Sequence, residues 1–255
     1  MRTARVACFG GIYDAVETDG KLRLSDGRIV DPSQVVWLPP IEAQTIFALG
    51  LNYADHASEI SFNAPDEPLV FLKGPNTLVG HNGQSRRPSD VTYMHYECEL
   101  AVVIGETARN VKQDKAYDYV AGYTIANDYA IRDYLENYYR PNLPVKNRDG
   151  LTPIGPWFVD KEIIHDPMNL NLRTYVNGEM KQEGSTSDMV FSIPYLIEYL
   201  SSFMTLREND VILTGTPKGT VHVYEGDEVV TEIEGIGSLK NTIVGDEDFH
   251  RNGGI

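Results

Sequence analysis

Residues 91–104 read Val-Thr-Tyr-Met-His-Tyr-Glu-Cys-Glu-Leu-Ala-Val-Val-Ile, with polar and apolar residues alternating at the start and an apolar run at the end. This pattern predicts a β-strand whose first half is exposed on one face and whose second half is buried. Because side chains two residues apart point the same way, Glu97 and Glu99 should share a face with His95. Two such carboxylates repel each other unless a divalent cation lies between them. A solvated pair of surface glutamates is the alternative.

The length and composition indicate a globular chain. With 255 residues, of which 42% are hydrophobic, it is long enough for one large domain or for one domain with a small appendage. No run of roughly 18 apolar residues occurs, so no membrane span is predicted. The first residues lack the long apolar stretch of a signal peptide, and the expected location is the cytoplasm.

The charge of the chain limits its partners. A net charge of −15 leaves no basic surplus to neutralise phosphates, so nucleic acid is not an expected partner. An anionic substrate would need local Arg or Lys side chains. Cys8 and Cys98 form neither a disulfide framework nor a metal-binding spacing.

The chain divides at a pair of prolines. Residues 1–42 are predicted to be a small N-terminal β module, because Asp19-Gly20 and Asp26-Gly27 mark turns between short strand-like segments. Pro39-Pro40 then indicates a boundary, and residues 43–255 form the main domain. We assign the small module a structural role.

His56 and Glu59 are candidates for acid–base chemistry. They are three residues apart, so one helical turn would place both side chains on one face. A carboxylate beside an imidazole orients the ring and raises its basicity. An ordinary surface pair is the alternative. Lys73, at the end of a predicted strand over 68–73, is either a substrate contact or a solvated strand end.

Three further segments end in chemically active groups. Asp128 follows an apolar strand predicted over 120–127 and is a candidate third oxygen ligand. Residues 146–156 are rich in Gly, Pro and charge, which indicates a loop that is either functional or simply solvated. Residues 215–219 follow another strand, and their backbone N–H groups could hold an anion or form an ordinary turn.

Residues 128–140 are predicted to form a helix that Pro141 ends. The helix carries Arg132 and Arg140, and Arg suits bidentate recognition of carboxylates. An ion pair between Arg132 and Glu136 on the helix surface is the alternative.

Six motifs together resemble a known family. In chain order they are Asn52-Tyr-x-x-His56-x-x-Glu59, Phe71-Leu-Lys73, Tyr96-Glu-x-Glu-Leu-Ala-Val-Val-Ile-Gly105, Asn127-Asp-x-x-x-Arg-Asp133, Lys146-x-x-Asp149-x-x-x-Pro153-x-Gly-Pro156 and Thr214-Gly-Thr-Pro217. Each motif is weak alone, but six in this order resemble the fumarylacetoacetate hydrolase family. The similarity extends from about Thr45 to Val244.

The resemblance implies a fold and a cofactor. The fold would be mostly β with short helices (α+β), a mixed β-sandwich roll that forms a homodimer around a Mg²⁺ or Mn²⁺ site. The implied metal ligands are Glu97, Glu99 and Asp128. The implied catalytic residues are His56 and Glu59 on a lid-like loop, with Lys146 near the metal. Leu135 departs from the pattern, since many relatives carry Gln there, and contacts of that Gln are not carried over.

The resemblance also implies an activity on a small anionic 2-oxo acid. The stretch 131–143 is particularly similar to family members that decarboxylate 5-oxopent-3-ene-1,2,5-tricarboxylate and isomerise 2-hydroxyhepta-2,4-diene-1,7-dioate. A bound cation would act as a Lewis acid, and His56 with Glu59 would move the proton. The candidate substrate-binding residues are Arg132, Lys73, Arg140, Gly215 and Thr216.

Two alternatives stay open at this point. The same groups could serve a C–C hydrolase of acylpyruvates, with His56 activating water, or an oxaloacetate decarboxylase. The chain could also be a non-catalytic β protein in which a metal only stabilises the fold. A structural metal site would not need His56, Glu59 and Lys146 beside it, and an Arg-rich helix suits a tri-anionic substrate.

Overall fold

The computed structural model describes residues 1–59, 65–135 and 143–251. Nineteen β-strands and four α-helices are assigned within these ranges. The strands are β1 (Arg2–Cys8), β2 (Gly11–Thr18), β3 (Lys21–Leu24), β4 (Ile29–Val30), β5 (Val36–Leu38), β6 (Ile46–Gly50), β7 (Leu69–Lys73), β8 (Leu78–Val79), β9 (Gly83–Arg86), β10 (Met94–His95), β11 (Cys98–Ile104), β12 (Val120–Asn127), β13 (Ala130–Ile131), β14 (Thr152–Asp160), β15 (Asn171–Val176), β16 (Glu179–Ser185), β17 (Val211–Leu213), β18 (Glu228–Ile233) and β19 (Gly237–Val244). The helices are α1 (Ala54–Glu59), α2 (Leu143–Lys146), α3 (Ile193–Phe203) and α4 (Asp246–Arg251).

Two mixed sheets and a short strand pair make up the described chain. The larger sheet has twelve strands in the order β4-β3-β2-β1-β14-β12-β11-β17-β6-β7, with β5 beside β1 and β8 beside β14. The second sheet has five strands in the order β16-β15-β18-β19-β9, and β10 pairs with β13. Antiparallel pairs dominate, but β17 and β6 are parallel, as are β19 and β9. The predicted fold, mostly β with short helices, is confirmed.

The stretch 91–104 is two strands rather than one. Strand β11 lies between β12 and β17 in the larger sheet, and all seven of its residues are buried. Such a central strand is expected to be an apolar run. The first half does not have the predicted exposed face, because Met94 and His95 in β10 are also buried against β13. Tyr93, just before β10, is 40% exposed.

The prediction of a helix over 128–140 is wrong for the residues of this range that the structure describes. Ala130 and Ile131 form strand β13, and a 3₁₀ turn follows over Arg132–Tyr134. Ala130 and Ile131 are fully buried and pair with β10, so tertiary pairing overrides the local helical preference. Arg140 and Glu136 lie outside the described residues.

The loop predicted over 146–156 is shorter than expected. Lys146 ends helix α2, and the chain re-enters the larger sheet at Thr152, the first residue of β14. The prolines in this segment do not prevent strand pairing, since Pro153 pairs with the two-residue strand β8. Proline is tolerated at the start of a strand.

The N-terminal strands extend the larger sheet. Strand β1 pairs with β14 through Arg2–Val159 and Thr3–Phe158, so the first 42 residues share a sheet with the main domain. The division at residue 42 stays a prediction. Within the described ranges, the helices are too short or too polar to cross a membrane.

Candidate active site around three buried carboxylates

Strands β11 and β12 bring three acidic side chains together. Cys98 pairs with Asn127 in this antiparallel ladder, so Glu97 and Asp128 lie next to each other at its end. The backbone N–H of Asp128 donates to the Glu97 carbonyl at 2.9 Å, and the Glu97 N–H donates to Asn127 Oδ1 at 2.9 Å. One carboxylate oxygen from each of Glu97, Glu99 and Asp128 lies within 4.8 Å of the others.

Two buried lysines compensate the negative charge of this cluster. Lys146 Nζ donates to Glu97 Oε2 at 2.7 Å and to Asp128 Oδ2 at 2.9 Å. Lys73 Nζ donates to Asp128 Oδ1 and to the Lys146 carbonyl. Lys73 is only 3% exposed, so its alternative as a solvated strand end is wrong. Buried charges of this kind are stable only when paired.

The pKa values of Glu97 and Glu99 are shifted in opposite directions. Burial opposes ionisation of Glu97, but Lys146 and other nearby cations outweigh it and lower its pKa. Burial, together with the charges of Asp128 and Glu97, raises the pKa of Glu99 well above its usual range. Burial lowers the pKa of Lys73, although Asp128 opposes that shift. For Lys146, the two carboxylates outweigh burial and raise the pKa.

Glu99 has one unused oxygen. Its Oε2 accepts the backbone N–H of Gly215 at 2.7 Å, whereas Oε1 is buried and has no hydrogen-bond partner among the described residues. A buried polar atom without a partner is costly. Oxygen donors from three carboxylates suit a hard divalent cation, so a cation at this cluster would give Glu99 Oε1 the partner that it lacks. The residues present therefore fit the implied metal.

The His56–Glu59 pair forms as predicted on helix α1. His56 Nδ1 lies 3.2 Å from Glu59 Oε2, and His56 is only 4% exposed. Glu59 also accepts the backbone N–H of Gly219, at 3.0 Å and 3.2 Å to its two oxygens. The loop after β17 connects this pair to the acidic cluster, because it donates the Gly219 N–H to Glu59 and the Gly215 N–H to Glu99.

Arg132 contacts both the acidic cluster and His95, a residue for which the sequence predicted no role. Its Nε donates to His95 Nε2 at 2.8 Å, and its Nη2 reaches Glu97 Oε1 at 3.3 Å. Burial lowers the pKa of His95 to about 3, so the ring is neutral and accepts from Arg132. His95 Nδ1 faces the Tyr96 carbonyl at 3.0 Å. The sequence pattern that could have predicted His95 as part of the site is its position two residues before Glu97.

The backbone N–H groups of the loop after β17 donate hydrogen bonds to carboxylates of the same chain. The N–H of Gly215 is bound to Glu99 and that of Gly219 to Glu59. Thr216 Oγ1 accepts from Gln182 Nε2 at 2.9 Å, and the same nitrogen donates to the Pro217 carbonyl at 2.8 Å. Gln182 therefore fixes this loop from strand β16, and no sequence motif indicated it.

Two cavities lie away from these residues. One of ≈ 550 Å³ is an open groove lined by Arg2 and by the turn between β18 and β19. Another of ≈ 420 Å³ lies between Trp37, His81 and Phe249. Neither cavity is lined by one of the three clustered carboxylates. The candidate site is therefore identified by its charged side chains and not by the volume of a cavity.

The family assignment agrees with this geometry. Residues 45–244 match the sequence profile described as fumarylacetoacetate (FAA) hydrolase C-terminal. This chain belongs to the fumarylacetoacetate hydrolase family. The predicted family is thus confirmed, and the matched region contains the three clustered carboxylates, the His56–Glu59 pair and both lysines.

A close relative in the family is a longer protein with two activities in its name. The 4-hydroxyphenylacetate degradation bifunctional isomerase/decarboxylase of Salmonella dublin is 68% identical over 203 residues. The alignment covers 80% of this chain and 47% of that protein. The chain therefore spans about half the length of this relative and of two similar proteins from Escherichia coli.

Solved structures of related proteins share most of this architecture. The 5-carboxymethyl-2-hydroxymuconate delta-isomerase of Mycobacterium smegmatis superposes with a TM-score of 0.84 at 37% identity, over 96% of this chain and 99% of the other. The fumarylpyruvate hydrolase of Pseudomonas aeruginosa gives a TM-score of 0.76 at 29% identity, over 81% and 91%. That structure contains Mn²⁺ and pyruvate. A divalent metal is thus used within the family.

Proposed function

We propose that this chain catalyses one or both of two successive reactions in 4-hydroxyphenylacetate and homoprotocatechuate degradation. They are the decarboxylation of 5-oxopent-3-ene-1,2,5-tricarboxylate and the isomerisation of 2-hydroxyhepta-2,4-diene-1,7-dioate. The observation behind the proposal is the buried cluster of Glu97, Glu99 and Asp128, together with the His56–Glu59 pair, which the loop after β17 connects to the cluster. The high identity to a bifunctional isomerase/decarboxylase supports it.

The proposed cofactor is Mg²⁺ or Mn²⁺, held by Glu97, Glu99 and Asp128. A bound divalent cation supplies Lewis-acid polarisation of the 2-oxo group, which favours loss of CO₂ from a vinylogous carboxylate. Lys146 and Lys73 hold Glu97 and Asp128 in place, because each ammonium group is buried against those carboxylates. The protein is further proposed to be a cytoplasmic homodimer.

The remaining groups divide the work on the substrate. Arg132 binds a substrate carboxylate through guanidinium N–H groups that His95 and Glu97 do not use. Arg140, outside the described residues, is proposed to assist it. Gly215 and Thr216 shape the wall of the site, and Lys73 acts there through Asp128. Isomerisation moves one proton from the enol hydroxyl to carbon 5. His56, oriented by Glu59, is the proposed acid and base for that transfer.

C–C hydrolysis of an acylpyruvate is the second candidate. The fumarylpyruvate hydrolase shares the fold, and a buried His56 beside Glu59 could activate a water molecule instead of moving a substrate proton. Both candidates use the same cluster, so the substrate distinguishes them.

To test this proposal, the purified protein is incubated with Mg²⁺ or Mn²⁺ and with each of four substrates: the tricarboxylate, the dienedioate, fumarylpyruvate and oxaloacetate. We expect CO₂ release from the tricarboxylate, or solvent-deuterium incorporation from the dienedioate, or both. His56→Ala should lower deuterium incorporation by about 10²–10⁴-fold, while CO₂ release falls less, because decarboxylation needs no base at carbon.

The variant Glu97→Ala, assayed with excess metal, is the matched loss-of-site control and should be inactive. Acid products from fumarylpyruvate alone would replace the proposal with the hydrolase. Turnover of none of the four substrates would favour a metal that only stabilises the fold.

A further inference from the structure

The hydroxyl of Tyr96 connects two parts of the site that are far apart in the chain. Tyr96 is fully buried and directly precedes Glu97. Its hydroxyl donates to the Gly219 carbonyl at 2.7 Å, across 123 residues of sequence. A buried tyrosine usually needs such a partner for its polar end, so this contact alone is compatible with an ordinary core residue.

Gly219 is held from both sides. Its φ is +100°, and a Cβ at this position would lie 2.8 Å from the Lys181 carbonyl oxygen, so a larger residue would be strained and crowded. While its carbonyl accepts from Tyr96, its N–H donates to both oxygens of Glu59. Gly219 therefore transmits the position of one side chain to the other.

Glu59 is the last residue of helix α1, and its carboxylate has a second contact. Its Oε2 lies 3.2 Å from His56 Nδ1. Gly219 and His56 thus share one carboxylate, and a continuous series of contacts runs from Tyr96 through Gly219 and Glu59 to His56. The residue next in sequence to Tyr96 is the carboxylate Glu97, so the series begins one residue before the acidic cluster.

We propose that Tyr96 is a positioning residue for His56: its hydroxyl fixes Gly219, which holds Glu59 and thereby sets the imidazole relative to the acidic cluster. The fixed geometry matters because a general base must lie within hydrogen-bond reach of the proton that it moves. The catalytic part of this inference rests on the proposed function. The positioning part rests on the contacts alone.

The test compares two hydroxyl deletions in buried tyrosines. Tyr96→Phe removes the hydrogen bond to Gly219 and keeps the ring. Tyr129→Phe is the matched control, because Tyr129 is also fully buried and its hydroxyl has no partner among the described residues. Hydrogen exchange of the α1 amides, read by mass spectrometry, should become about 3- to 10-fold faster in Tyr96→Phe only, as expected for one lost hydrogen bond.

The catalytic readout is deuterium incorporation into the substrate. Tyr96→Phe should lower the kcat for deuterium incorporation by about 3- to 10-fold. Its affinity for Mn²⁺, measured by titration calorimetry, should equal that of the wild type. Glu59→Ala breaks the same series at a partly exposed side chain. If Tyr96 acts through Glu59, adding Tyr96→Phe to Glu59→Ala should change kcat less than twofold.

Three results would overturn the inference: α1 exchange at the wild-type rate in Tyr96→Phe, faster exchange with unchanged proton transfer, or additive effects in the double variant. A wild-type protein without turnover would instead reject the proposed function. In that case the α1 exchange rates would still decide whether Tyr96 positions the helix.

Discussion

Arg132 donates hydrogen bonds in two directions, and this changes what its removal should do. The surface ion pair considered for it involves Glu136, which lies outside the described residues. The contacts present are with buried His95 and with Glu97. Its side chain is 25% exposed, so it is accessible on one side and anchored on the other. Such anchoring reduces the entropy lost when a ligand carboxylate binds.

Arg132→Leu should therefore lower kcat/KM for the tricarboxylate by about 10²-fold, since a charged hydrogen bond contributes roughly 1.5–3 kcal/mol. Steady-state kinetics with saturating Mg²⁺ measure the effect. Arg173→Leu removes an exposed guanidinium paired with Glu183 and serves as the control, with kinetics like the wild type. A change below twofold in Arg132→Leu would remove Arg132 from substrate binding.

The environment of Lys73 in the folded chain differs from the one that its position in the sequence indicates. A lysine at a strand end is commonly solvated, but this strand end enters the interior beside Asp128. Its ammonium group is fully enclosed and bridges Asp128 to the Lys146 carbonyl. The pairing depends on residues that are 55 and 73 positions away, so no local pattern could indicate it.

At the level of elements, the segment between β8 and β9 has a pH-sensitive contact. His81 packs edge-on against Trp37 at a centroid distance of 5.1 Å. Its Nδ1 accepts the backbone N–H of Lys240 at 3.1 Å. Burial, and then the charge of Lys240, lower the pKa of His81 to about 4. Protonation would remove the acceptor and place a charge against the indole.

This shift predicts a loss of stability in mild acid. The unfolded chain binds the His81 proton near pH 6.5, before the folded chain does near pH 4. Stability from this group is thus complete above pH 6.5 and is lost as the pH falls towards 4, by up to about 3 kcal/mol. His81→Gln should reduce the difference in urea midpoint between pH 7 and pH 4.5.

The control for this prediction is His165→Asn, which alters an exposed histidine and should keep the wild-type pH dependence. Equal midpoint differences in wild type and His81→Gln would show that His81 does not contribute to acid sensitivity. Because the contact lies outside the candidate site, activity at pH 7 should be unchanged in His81→Gln.

For the whole molecule, the acidic cluster lies between elements that have their own apolar contacts. Strand β11 is buried along its full length in the larger sheet. Lys146 and Lys73 already neutralise part of the cluster. We therefore expect these strands to stay together without a cation, although a bound cation would add stability by mass action.

Removal of metal should accordingly abolish activity and leave the fold intact. After treatment with EDTA, the far-UV circular dichroism spectrum should match that of the metal-loaded protein. The free energy of unfolding should fall by about 3 kcal/mol if the metal was present at roughly 100 times its Kd. Cooperative unfolding on chelation at 25 °C would show instead that the metal is structural.

The sequence was sufficient for the family, the mostly-β class and the pairing of His56 with Glu59. Those inferences rest on local spacing: a helical turn brings together residues three apart, and ordered motifs identify the family without coordinates. Strand β12 was also predicted with its observed bounds, Val120–Asn127, because a buried strand has a strong apolar pattern of its own.

Contacts between distant segments could be found only in the folded chain. The break between β10 and β11, the strand in place of a helix at Ala130, and the burial of Lys73 all result from pairing with remote elements. The same holds for the links from Tyr96 to Gly219 and from Arg132 to His95. Their free energy comes from tertiary hydrogen bonds and burial, which local propensity does not encode.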